Sequence, residues 1–217
     1  MPYVSSRPFR DRVEAGELLA QELSLYRHRD DVVVLALPRG GVPVAREVAR
    51  ALGVRFDVFV VRKLGVPGQE ELAMGAIASG GIRLVNEEVV NALDIPSTVI
   101  DSVTMREQRE LDRRERLYRG ERPPIALTGK IVIIVDDGLA TGSTMRAAVV
   151  AARQQQPALV IVAVPVGAPS TCALLAHEAD DVVCVRRPDP FVAVGLWYRD
   201  FTPTSDNEVR SLLGEDS

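Results

Sequence analysis

The sequence predicts an α/β fold, a mainly parallel, twisted sheet flanked by helices. Three observations carry this. Apolar runs of strand length recur: VVVLAL within Asp31–Leu37, IVIIV at Ile131–Val135 and ALVIVAV at Ala158–Val164. None alternates with polar residues, which marks strands buried on both faces. Each is followed by a turn of small, proline or hydroxyl residues and then by a helical pattern, the order that builds parallel sheets.

The chain of 217 residues suits a single domain. It is 47% apolar and 26% charged, enough for a sizeable core. A formal net charge of −4 argues against a general nucleic-acid binder. Cys172 and Cys184 match no zinc spacing, and two cysteines are too few for a disulfide framework, which points to a reducing compartment. The start, MPYVSSRPFRDR, has no apolar leader, and no run reaches membrane-spanning length. A soluble, cytoplasmic protein is the expectation.

In order, Phe9–Leu25 sets Val13, Leu18, Leu19, Leu23 and Leu25 among charges, an amphipathic helix covering a sheet edge. The strand at Asp31–Leu37 breaks at Pro38-Arg39-Gly40-Gly41, and Val42–Leu52 is helical. Paired glycines allow close backbone approach, and Arg39 beside them can hold an anionic group bidentately. A second strand over Arg55–Val61 ends in the cationic pair Arg62-Lys63. Leu64–Glu71 has turn chemistry, and Leu72–Ser79 with Gly81–Val85 predicts a hairpin. A short helix follows at Asn86–Ala92. A longer one, capped by Ser97 or Thr98, runs to about Arg119. Its pairs Glu110/Arg114, Asp112/Arg116 and Glu115/Arg119 predict a solvent-exposed helix.

The central strand Ile131–Val135 ends in Asp136-Asp137, then Gly138-Leu139-Ala140-Thr141-Gly142-Ser143-Thr144, then a helix from Met145 to Ala152. Open α/β sheets place ligands at the carboxyl ends of their strands. The loop can aim backbone N–H groups and three hydroxyls at one point, a nest for an anion. Carboxylates accept from sugar hydroxyls while the nest donates to phosphate, so a sugar phosphate fits. No Gly-x-x-x-x-Gly-Lys motif is present. Beyond Ala158–Val164 come a turn at Pro165–Pro169, a helix over Ser170–Glu178 and a strand at Asp181–Val185. The aromatics Phe191, Trp197, Tyr198 and Phe201 gather after it. His28 and His177 lie in no nucleophile motif. A frayed end is expected at Gly214–Ser217.

Asp136 to Thr144 resembles the phosphoribosyl-pyrophosphate (PRPP) loop of type I phosphoribosyltransferases. The resemblance extends to Pro38–Gly41, Arg62–Gly65 and Gly195–Tyr198, and is strongest over 32–85 and 120–201. It implies a single phosphoribosyltransferase-like domain over 1–217, with a core at about 30–185 and a small hood from about 1–29 and 186–217. It implies transfer of phosphoribose from PRPP, with Mg²⁺, to a nucleobase-like acceptor, releasing pyrophosphate. Asp136 and Asp137 would be the catalytic acids on the ribose diol or, directly or through water, on the metal. Leu139, Ala140, Thr141, Gly142, Ser143 and Thr144 would cradle the 5′-phosphate, and Arg39, Gly40, Arg62 and Lys63 would meet pyrophosphate. Phe191 and Val192, with Trp197, resemble a base-binding tail of 6-oxopurine enzymes. Those enzymes usually carry an acid where this loop has Ala140, so the acceptor stays open. A lid over the site is implied near Leu64–Glu71, and a homodimer by family analogy. Two alternatives remain: a PRPP-sensing regulator that binds nucleic acid, and a PRPP or sugar-phosphate hydrolase.

Overall fold

The structure, a computed structural model, describes residues 7–214. In chain order its elements are α1 (Arg12–Glu22), β1 (Val32–Ala36), α2 (Gly41–Leu52), β2 (Arg55–Val58), β3 (Val61–Val66), β4 (Gln69–Ala78), β5 (Ile82–Val85), α3 (Glu87–Ala92) and α4 (Ser97–Arg119). They continue with β6 (Ile131–Val135), α5 (Ser143–Arg153), β7 (Leu159–Val166), α6 (Pro169–Leu175), β8 (Asp181–Arg186) and α7 (Asp206–Gly214). The expectations for residues 1–6 and for the frayed end beyond Gly214 fall outside the described residues.

Five strands form one parallel sheet in the order β2-β1-β6-β7-β8. Their residues alternate between two cores, which is why the sequence shows apolar runs without alternation. Val32, Val34, Ala36, Ile131, Ile133 and Val135 enter the core that holds Val44, Val48 and Leu52 of α2 and Leu19 of α1. Val33, Leu35, Val132 and Ile134 enter the core that holds Ala148, Val149 and Ala152 of α5 and Cys172 and Leu175 of α6. The strand order reverses between β1 and β6, so a crevice opens where their carboxyl ends part.

Several elements differ from the sequence expectation. The strand expected over Arg55–Val61 is two strands in two sheets: β2 ends at Val58, and β3 starts an antiparallel sheet of order β3-β4-β5. The switch is held by the N–H of Val60 donating to Ser79 Oγ at 3.0 Å, and by the N–H of Ser79 donating to Val60 O at 2.9 Å. An apolar run cannot report which sheet each half joins. The expected turn Leu64–Glu71 is largely strand, β3 and β4 meeting at its tip with an irregular register near Gly65. The helix expected over Phe9–Leu25 spans only α1 and buries Ala15, Gly16, Leu19 and Ala20, while Leu25 is exposed. The C-terminal helix α7 has no counterpart in the sequence reading.

A further difference concerns α4. Glu110 and Arg114 pair at 2.7 Å as the spacing predicts, but Asp112 accepts from Gln108. The helix is not merely solvated: its last residue, Arg119, is 6% exposed. Arg119 donates to Asp57 at 3.1 and 3.2 Å, to Val58 O at 2.9 Å and to Glu115 at 3.0 Å. This ion pair fastens α4 to the end of β2, beside the point where the chain leaves the parallel sheet.

Removing one partner of such a pair strands the other charge in the core. Asp57→Ala is expected to lower unfolding free energy by about 3–5 kcal/mol. Urea denaturation measures it. Asp57→Ala combined with Arg119→Met should recover part of the loss, because no unpaired charge then remains.

Candidate functional site

Asp136 and Asp137 stand at the carboxyl end of β6, and the loop after them is fixed from below. The N–H of Leu139 donates to Val166 O and the N–H of Ala168 to Leu139 O, each at 2.9 Å. Thr171 Oγ1 on α6 donates to Ala140 O at 2.6 Å. Gly142 has φ 71°, and a side chain there would come within 2.5 Å of the Thr171 methyl, so the turn into α5 requires glycine twice over. The loop 138–145, Asp136 and Val194 line a cavity of about 160 Å³.

The turn after β1 meets this loop. A β-carbon on Gly40 would lie 2.1 Å from Asp137 Oδ2, and one on Gly41 would lie 2.7 Å from Val135 O. The two glycines therefore let the β1 turn press against the paired acids. Arg39 projects from it, half exposed, with Nη1 3.8 Å from Asp206 of α7. Asp206 also accepts from the Tyr118 hydroxyl at 2.7 Å, and burial together with that carboxylate pushes the phenol up to about 12.

Lys63 and Arg62 separate. Lys63 Nζ is 3.5 Å from Ser143 Oγ at the start of α5. Arg62 turns to the other face of β3 and pairs with Glu107 of α4 at 2.5 Å. Both residues lie on an antiparallel strand, where neighbours point oppositely, so Lys63 is brought to the loop and Arg62 to α4.

The two chain ends meet above the acids. The N–H of Phe9 donates to Trp197 O and the N–H of Arg199 to Phe9 O, each at 2.8 Å. Phe9, Ala15, Val166 and Tyr198 form a small core, with Phe191, Val194, Trp197 and Phe201 against it. Phe191 and Trp197 thus sit in the packing of this cap. Val192 is 74% exposed and stands outside it. Val194 reaches the loop cavity instead, because a side chain on Gly138 would collide with it at 2.5 Å.

Sequence reasoning missed Arg12. Its Nε and Nη2 donate to Asp137 Oδ2 at 3.0 and 2.9 Å, and its Nη1 donates to Thr202 O at 2.8 Å. The Tyr198 hydroxyl donates to Asp137 O at 2.6 Å. No local signal could join positions 12 and 137. Burial and the neighbouring Asp137 raise the pKa of Asp136 well above the carboxylate norm. Burial raises Asp137 too, against the opposing pull of Arg12. Among the described residues no cluster of three or more His, Cys, Asp or Glu could enclose a metal. Two adjacent carboxylates nevertheless fit Mg²⁺, which binds through one or two carboxylates together with substrate phosphates and water.

Set against known proteins, residues 11–198 match the family model of the phosphoribosyl transferase domain. A Mycobacterium tuberculosis protein provisionally named a phosphoribosyl transferase is 49% identical over 205 residues, 94% of this chain and 46% of that protein. The chain thus spans about half the length of the curated relatives it matches. The crystal structure of TT1426 from Thermus thermophilus is 41% identical, with TM-score 0.87 over 96% of this chain and 98% of that one. The Bifunctional protein PyrR of Brevibacillus brevis is 33% identical over 106 residues, 46% of this chain and 58% of that protein.

The two half-buried acids also bear on stability. A carboxyl whose folded pKa is raised stabilises the fold fully below its unfolded value, about 4, and loses that contribution as pH rises through the folded value. Asp136→Asn, which keeps the acceptor for the N–H of Asp137, should therefore raise the melting temperature at pH 7 and leave it nearly unchanged at pH 4. Thermal unfolding at the two pH values checks the sign.

Proposed function

The chain belongs to the phosphoribosyl transferase domain family, and from that we propose that it transfers phosphoribose from PRPP, with Mg²⁺, to a nucleobase-like acceptor and releases pyrophosphate. The observation that carries the proposal is the contact of two loops at the crevice: Asp136-Asp137 and the 138–144 loop on one side, Arg39-Gly40-Gly41 on the other. One side suits a ribose 5-phosphate, the other a second phosphate group on the same sugar.

In this reading the backbone N–H groups of Ala140–Thr144, with the hydroxyls of Thr141, Ser143 and Thr144, donate to the 5′-phosphate at the start of α5, while the N–H of Leu139 stays on Val166 O and anchors the loop. Asp136 and Asp137 accept from the ribose hydroxyls. Arg39, the Gly40 backbone and Lys63 receive the pyrophosphate. Arg62 is assigned no contact there, since Glu107 holds it. Asp136 and Asp137 would hold Mg²⁺, which would supply positive charge to offset that gathering on the leaving pyrophosphate. The bond from the anomeric carbon to pyrophosphate breaks as the acceptor nitrogen bonds to that carbon, which gains oxocarbenium character. Rate comes from holding the ends of PRPP and stabilising charge on the leaving group, with no protein nucleophile.

The acceptor would enter under the cap, beside Val194. Ala140, exposed in the loop, offers no acid to a purine ring. The name of the PyrR relatives, bifunctional, keeps a regulator in view. The surface for nucleic acid would then be the cluster of Arg109, Arg113 and Arg116 on α4, although Glu110 already holds Arg113 at 2.8 Å.

Asp136→Asn combined with Asp137→Asn is expected to abolish PRPP binding in calorimetry with Mg²⁺ present. Unchanged affinity would sink the site assignment. A panel of bases with PRPP and Mg²⁺, read by pyrophosphate release, tests the reaction. Acceptor-dependent release is expected; release without acceptor would make the protein a hydrolase, and no release with intact PRPP binding would make it a sensor.

A further inference from the structure

We infer that Arg12 is a positioning residue for ligand binding: it fixes one oxygen of Asp137, leaves the other to the ligand, and makes sugar recognition depend on the seating of the chain ends over the site. The inference rests on the PRPP reading above.

Both donors that Arg12 aims at Asp137, Nε and Nη2, converge on Oδ2. The Gly40 turn closes on that same oxygen. Oδ1 stands farther from the turn and receives no hydrogen bond from another described residue. Asp137 therefore has one oxygen committed to the protein and one able to accept from a ribose hydroxyl. The guanidinium is itself held on three sides. It donates to Asp137, it donates to Thr202 O, and it lies 4.1 Å over the ring of Phe201. Its side chain is 11% exposed and that of Asp137 16%, so the pair is shielded from competing water.

The aim of Arg12 is built into α1. Asp11 caps the helix by accepting from the N–H of Glu14 at 2.9 Å, which sets Arg12 as its first residue. Gly16 lets α1 lie against α2, since a β-carbon there would be 2.7 Å from Val44 O. Because α2 begins at the Gly40-Gly41 turn, this close approach brings Arg12 over the acids. Ligand contact at Asp137 is thereby coupled to residues from both ends of the chain, α1 and the 198–202 segment.

The test is calorimetry of Mg²⁺·PRPP on the whole chain for the wild type, Arg12→Lys and Arg12→Ala, with inorganic phosphate as a second probe of the 138–144 loop. Partners that orient a binding group typically contribute about 10–100-fold to affinity. Arg12→Ala is expected to lose PRPP affinity by about that factor. Arg12→Lys, which keeps charge without the forked donors, should fall between. Added methylguanidinium should restore binding to Arg12→Ala, and phosphate affinity should be equal in all three. PRPP binding by Arg12→Ala that equals or exceeds the wild type overturns the inference, as does a parallel loss of phosphate binding or a failure of methylguanidinium to restore any affinity. A wild type that binds phosphate and no PRPP overturns the reading of the ligand itself, a separate and distinguishable failure.

Discussion

Everything at the crevice depends on how closely the turn after β1 can approach the acids after β6. Neighbouring parallel strands bring their ends together, but side chains ordinarily keep the following turns apart. Gly40 and Gly41 remove that separation: no β-carbon fits between the turn and Asp137 Oδ2, or between the turn and Val135 O. The approach lets Asp137 be held by both the turn and Arg12. It also sets Arg39, the residue before Gly40, next to the point where the two turns touch. A single methyl group at position 40 would separate two half-sites that the sheet alone only places side by side.

The closeness has a cost borne by the rest of the fold. Two half-buried carboxylates lie side by side, and both have pKa values raised by loss of water. Such groups persist only where surrounding structure determines their position. Here the support comes from both sides of the sheet: β1 and β6 are fully buried, and Thr171 of α6 holds the loop from below. The Tyr198 hydroxyl ties the cap to the same backbone. Acid geometry is thus maintained by residues from α1, α6 and the C-terminal segment, none of which needs to touch a ligand.

Much of this was legible in the sequence, and the boundary of what was legible is physical. The parallel strands and the acids at the end of β6 were readable because a doubly buried strand and the small-residue turn after it each leave a contiguous pattern. The glycine pair at 40–41 was readable for the same reason. The split of Arg55–Val61 was not, because the same apolar residues satisfy a parallel and an antiparallel neighbour equally well, and only Ser79 far along the chain decides. Arg62 and Lys63 read as one cationic pair, yet strand alternation sends them to different partners. Arg119, with Glu115 one helical turn before it, reads as solvated; it is buried because Asp57 awaits it at a strand end that sequence could not place. Arg12 is the clearest case: an arginine after a helix cap has no local signature of its partner 125 positions away.

The site's charges are also sorted by how firmly each is held, and this bears on how a polyanion would enter a chain of net charge −4. Arg39 and Asp206 approach only to 3.8 Å, with side chains 50% and 37% exposed. An ion pair in that setting is worth little, so Arg39 can exchange Asp206 for a phosphate oxygen without disturbing the fold. Arg62 and Glu107 are closer and more buried, and Arg12 and Asp137 are held in a still more shielded setting. Exchange there would leave a shielded charge without its partner, which is costly. In the proposed reading the exposed pair would face the pyrophosphate and the shielded one the sugar. The fold would then present a replaceable cation where a leaving group must arrive and depart, and a fixed carboxylate where the sugar must be held still.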